Sequence, residues 1–198
     1  MFTTKKAKSL LIRFREVLLV KPRNNFSLLV FKLRKYSFGF ESACNYLRLV
    51  DESCIPMILR SEGAIIGKGT KIQSGIYLHN CKNLKNLVIG KNCSLGKDIF
   101  LDLRDRIEIG DNVVVSMRCT FITHIDITPS ALNEYHPPEE EQIKLDNDVY
   151  VGSNSVILMG VEIGHSSFIA ASSLVNKSFS QGVMVAGVPA QEIRKIIL

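Results

Sequence analysis

Between residues 148 and 175 an apolar residue returns at every sixth position. Val151, Ile157, Ile163, Ile169 and Val175 hold this register without a slip, and Gly152, Gly164 and Ala170 follow three of them. The same period governs Ile66–Ile72–Leu78, Ile89–Leu95–Leu101 and Ile109–Val115–Phe121, with Gly67, Gly90, Gly96 and Gly110 in the following position. Each triplet is regular within itself and displaced from the next by a few residues. An amphipathic helix returns its apolar face every 3.6 residues, whereas a strict six built on β-branched residues and glycine predicts very short strands separated by turns. No such strand is stable alone, so the pattern predicts a solenoid whose stacked coils bury one continuous apolar column. A β-sandwich would instead alternate with period two and show no six-residue harmonic.

Upstream the pattern is helical. Leu10, Leu11, Phe14, Val17 and Leu18 recur at helical spacing before Pro22, Leu28, Leu29, Phe31, Leu33 and Tyr36 form a second apolar set before Gly39, and a third segment surrounds Ser42–Leu49. These features predict a basic, mainly helical extension over residues 1–58 and a solenoid domain over 59–198. Between Phe121 and Asp148 the hexads stop, and Pro129, Pro137 and Pro138 oppose regular strand. Residues 122–147 are therefore expected to form a long loop on a rigid scaffold, where functional residues concentrate.

Charge sharpens this division. Residues 1–40 hold ten Lys/Arg against Glu16 alone, a net of +9, so the other 158 residues carry −3 of the total +6. A mildly acidic body argues against nucleic-acid binding. Basic residues interrupt every apolar run well before the ~18 residues of a membrane span. Two readings of the arm stay open: it packs on the solenoid through Leu11, Phe14, Leu18, Leu29 and Phe31, or it associates weakly with an anionic membrane face. Five cysteines without CxxC spacing, in a chain showing no signal-peptide cleavage pattern, fit reduced thiols in a cytoplasmic protein.

The hexads, together with the ending IAASSLVNK and the AGVPA motif at Ala186–Ala190, resemble the hexapeptide-repeat, left-handed parallel β-helix acyltransferases, in their sugar and polysaccharide O-acetyltransferase branch. The resemblance covers about residues 60–198. It implies an all-β solenoid of triangular coils with a C-terminal helix, a homotrimer, acetyl-CoA as acyl donor held between neighbouring subunits, and no metal. It also implies that His124, where coil meets loop, is the catalytic base. Ser153 and Ala171 match positions lining the pantetheine channel, Asn176 and Lys177 a pair near the nucleotide, and Arg194 a basic residue near the 3′-phosphate. Gln191 departs from the arginine often found at its position.

The chemistry is consistent with this assignment. Acetyl transfer to a hydroxyl requires removal of its proton, and an imidazole is mostly free base at neutral pH. Asp126 or Asp102 could orient it through the other ring nitrogen. Cys119 is the one cysteine near enough in sequence to suggest a nucleophile, while His79, His136 and His165 read as surface or satisfied residues. The expected acceptor is a sugar or glycan hydroxyl, with an amino-sugar amine as the alternative. A non-catalytic assembly module would need neither His124 nor AGVPA. A γ-class carbonic anhydrase would need three histidine ligands at a spacing that these four do not have.

Overall fold

In a computed structural model, which describes residue 19 and residues 21–196, the hexads close into a left-handed parallel β-helix with three flat sides. Strands are numbered in chain order. The first side stacks β1 (Ile65–Ile66), β4 (Leu87–Ile89), β7 (Ile107–Ile109), β12 (Ile143–Leu145) and β15 (Glu162–Ile163). The second stacks β2 (Lys71–Ile72), β5 (Ser94–Leu95), β8 (Val114–Val115), β13 (Tyr150–Val151), β16 (Phe168–Ile169) and β18 (Val183–Gly187). The third stacks β3 (Tyr77–His79), β6 (Phe100–Asp102), β9 (Thr120–Phe121), β14 (Val156–Ile157) and β17 (Leu174–Val175).

All these neighbours run parallel and place hexad residues directly over one another, as in the column Ile66, Ile89, Ile109, Leu145 and Ile163. The hexad side chains are buried, and each removes roughly 1.5–3 kcal/mol worth of apolar surface from water. Leu145 belongs to this set, so the register resumes one hexad before Val151, earlier than the sequence pattern suggested. The glycine after the apolar residue has a steric cause: a Cβ on Gly152 would lie 2.4 Å from the backbone nitrogen of Ala171 in the next coil.

The corners explain the displacement between triplets. From first side to second, and from second to third, every coil takes six residues. These tight corners use left-handed backbone at Asn92, Asp98, Asn112, Asp148 and Asn154, with φ from 55 to 60°, a region that Asn and Asp tolerate best after glycine. The corner from third side to first is different. There Ile89 follows Leu78 by eleven residues, Ile109 follows Leu101 by eight, and Leu145 follows Phe121 by twenty-four. The three insertions stack along one edge of the prism.

At the N-terminal end α1 (Lys21–Tyr46), broken at Gly39 (φ 85°), lies against β3 and α2 (Ile55–Ser61), and α2 contacts β1 and β2. Phe31, Leu47, Ile55, Ile58 and Leu59 are fully buried here and close the open end of the apolar column, a requirement of any solenoid. The helix expected at Leu10–Leu18 lies outside the described residues. The chain ends differently from the expectation of a C-terminal helix. Gly187 (φ 107°) and Pro189 turn the chain back, and β19 (Ala190–Lys195) pairs antiparallel with β18. The exposed hydrogen-bonding edge of β18 takes up the terminal segment as a strand, overriding its helical propensity.

Candidate active site

The 122–147 excursion is a short hairpin in which β10 (His124–Ile125) pairs antiparallel with β11 (Glu139–Glu140), His124 opposite Glu140. A 3₁₀ turn at Ala131–Glu134, capped by Ser130, forms part of the intervening loop. The prolines fall between the strands, so they do not oppose pairing. The hairpin fixes His124 over the corner of the coil below. Its Nδ1 is 2.5 Å from Asp102 Oδ2, and Asp102 is fully buried.

Asp102 Oδ2 also accepts hydrogen bonds from the backbone N–H and the hydroxyl of buried Thr123, both at 3.0 Å. Burial alone would raise the Asp102 pKa, but the bonds from His124 and Thr123 outweigh it and hold the carboxyl below its ordinary value. A carboxylate at Nδ1 selects the tautomer with the proton there and leaves the Nε2 lone pair free. Nε2 lies 3.4 Å from the Asn80 amide nitrogen. Asn80 in turn lines a cavity of about 630 Å³ together with Glu41, His79, Cys81, Lys82 and Arg104.

Three successive insertions therefore meet at this edge, bringing Asn80, then Asp102 and Arg104, then His124. Of the two candidate carboxylates, Asp102 contacts the imidazole. Asp126 instead accepts from the hydroxyl and backbone N–H of Thr128 and pairs with Arg104 at 3.1 Å, contacts that lower its pKa to about 2. Arg104 also reaches Glu140 at 3.5 Å, clamping the hairpin to the corner beneath it. Sequence reading did not find Asn80, Thr123 or Arg104, although the broken register after Leu78, after Phe121 and after Leu101 marks the segments that carry them.

The other singled-out residues separate cleanly. Cys119 is fully buried, its thiol donates to the Gly152 carbonyl, and burial raises its pKa, so it cannot act as a nucleophile. His79 packs beside the stacked Tyr77 and Phe100 rings and lines the cavity, His136 is exposed in the hairpin loop, and His165 meets Ser166 at a turn. Among the described residues no cluster of three His, Cys, Asp or Glu has a geometry that could hold a metal ion.

The residues expected to hold coenzyme A occupy two edges of the prism. Ser153 and Ala171 share the corner between second and third sides, where Ser153 Oγ is 2.6 Å from Ser116 Oγ. Asn176 and Lys177 follow β17 on the His124 edge, and Lys177 Nζ donates to Gln191 Oε1 at 2.8 Å. Arg194 is exposed on β19. Within one chain these groups are not brought together.

The hexapeptide repeat of succinyl-transferase matches residues 86–117 and 142–177. The chain is 28% identical to the galactoside O-acetyltransferase of Escherichia coli K12 over 139 residues, 70% of this chain and 67% of that protein. Among solved structures, a hexapeptide-repeat acetyltransferase of Vibrio cholerae superposes with a TM-score of 0.62 at 24% identity, over 80% of this chain and 91% of the other. A mutant of an N-acyltransferase of Bacillus cereus, in complex with dTDP and coenzyme A, superposes with a TM-score of 0.58 at 23% identity, over 68% of this chain and 74% of that one.

Proposed function

We propose that this chain is a hexapeptide-repeat, left-handed β-helix acyltransferase that transfers acetyl from acetyl-CoA to a hydroxyl of a sugar or polysaccharide precursor, with His124 as general base. The observation that carries this reading is the His124–Asp102 pair, whose free nitrogen meets a wall residue of the cavity. Nε2 accepts the hydroxyl proton as the acceptor oxygen attacks the thioester carbonyl. The C–O bond forms, the C–S bond breaks, and the imidazolium returns its proton to the departing coenzyme A thiolate. Asp102 holds the ring in the required tautomer and stabilises the imidazolium, as carboxylates do in other base-assisted acyl transfers. No covalent enzyme intermediate is required.

The donor site spans two subunits of a homotrimer. Ser153 and Ala171 on one edge contact the amide-rich pantetheine arm, while Asn176, Lys177 and Arg194 meet the nucleotide phosphates, for which fixed cations are the natural partners. Their separation onto different edges of one chain supports a groove closed by a neighbouring copy. The similarity to a sugar acetyltransferase supports a glycan acceptor.

His124→Ala tests the reading directly. With acetyl-CoA and a panel of sugars and amino sugars, the wild type should release coenzyme A and yield an ester, and the variant should lose roughly 10²–10⁴ in turnover while still binding acetyl-CoA. Near-full activity in the variant would sink the assignment. An amide product formed only with amino sugars would place the chain among the N-acyltransferases instead.

A further inference from the structure

One surface plays no part in this chemistry. Phe31 is buried beneath α1, as expected of an arm that packs on the solenoid, yet Leu29, expected to accompany it, is 53% exposed. Phe26, Leu33 and Tyr36 are exposed at 66%, 56% and 92%. At about 100° per residue these four side chains fall within an arc of roughly 80°, and Phe31 lies about 180° from its centre. The outward ridge of α1 is therefore apolar along three turns, directly opposite the face that anchors the helix.

Charge identifies the occupant. Lys32 and Arg34, both exposed, flank the ridge on its two sides. Residues 17–40 contain no acidic residue, and five further Lys/Arg precede them. Acids of the body already serve the inner side of the helix, where Glu62 pairs with Lys35 at 2.6 Å and Asp51 with Arg23 at 2.9 Å. What faces outward is a convex apolar ridge between cations, with a tyrosine whose ring is apolar and whose tip is polar. That combination suits the plane between headgroups and acyl chains of an anionic bilayer. No helix among the described residues is long and apolar enough to cross a membrane, so the contact is peripheral.

We propose that α1 docks the protein on an anionic lipid surface through Phe26, Leu29, Leu33 and Tyr36, with Lys32 and Arg34 meeting the headgroups. The proposal does not depend on the acyl-transfer reading. It is tested by co-sedimentation of the full-length protein with phosphatidylcholine vesicles, with and without phosphatidylglycerol, at low and high salt. The wild type should bind only the anionic vesicles and release them as salt rises. Leu29→Glu/Leu33→Glu and Lys32→Glu/Arg34→Glu should each lower partitioning by roughly tenfold or more while leaving the thermal unfolding midpoint unchanged. A wild type that ignores anionic vesicles overturns the proposal, as do variants that bind like the wild type. A ridge variant that changes the oligomeric state in sedimentation velocity also overturns it, because the ridge would then be an interface between copies of this chain.

Discussion

Replacing Asp102 by Asn keeps the shape of the side chain and removes its charge, which isolates what the carboxylate does for His124. At an effective dielectric near 20, opposite charges about 4 Å apart attract by about 4 kcal/mol, and this attraction is complete only once His124 has taken the acceptor proton. An amide oxygen in the place of Oδ2 can still accept from Nδ1, but a neutral hydrogen bond recovers only about 1 kcal/mol. The loss falls between about 2 and 4 kcal/mol in the transition state, or roughly 30- to 10³-fold in kcat. The amide nitrogen would occupy the place of Oδ1, a buried atom with no hydrogen-bond partner, and leaving a donor there costs a further ~1–3 kcal/mol of stability. The assay is steady-state release of coenzyme A thiol, with KM for acetyl-CoA and thermal unfolding measured in parallel. Because Asp102 acts through the imidazole, Asp102→Asn combined with His124→Ala should be no slower than His124→Ala alone. A kcat within threefold of wild type, or losses that simply add in the double variant, would refute this account.

Two more outcomes follow from the same geometry. Lys177→Ala and Arg194→Ala should raise the KM for acetyl-CoA more than they lower kcat, since both side chains act on bound phosphate rather than on the reacting atoms; steady-state kinetics with a loss confined to kcat would contradict the donor site. Asp102 is held below its ordinary carboxylate value, so its contribution to stability is complete above the unfolded-state pKa of about 3.9 and is lost as pH falls through the lower folded value. Thermal melts between neutral pH and pH 2 should therefore show wild-type stability falling more steeply below about pH 4 than that of Asp102→Asn, and parallel curves would contradict the assigned charge state.

The solenoid was legible because each coil makes the same demand. One buried aliphatic residue per side, with a small residue after it where backbones approach, writes the contact between coils into single positions such as Ile157 and Gly152. The dyad was only half legible. His124 announces itself by standing where the register breaks, but Asp102 and Asp126 both lay within reach of it, and choosing between them required knowing which coil lies beneath which. Asp102 is the residue after inward-facing Leu101, one coil below, whereas Asp126 is drawn away by Arg104. Tertiary pairing likewise decided the terminus, where AQEIRK meets an open strand edge and becomes β19. The packing reading of the arm holds for Phe31, which is buried, and not for Leu29, which is exposed.

That the site sits on one edge follows from how this solenoid tolerates change. Each six-residue corner turns on a left-handed residue, and at several of them, as at Gly67, Gly90, Gly110 and Gly152, the backbones lie too close to admit a Cβ, so an insertion there would push the next coil out of register. At the corner from third side to first, added residues can loop outward while the strands on either side keep their pairing, as Phe121↔Ile157 and Ile109↔Leu145 do around the hairpin. Loop closure costs only about 0.6 kcal/mol for each doubling of length, far less than displacing a coil. Chemistry-bearing residues can therefore accumulate on that edge without disturbing the core. Because coils stack directly, insertions in successive coils become neighbours: Asn80, Asp102 and His124 are more than twenty residues apart in sequence, yet His124 contacts both of the others.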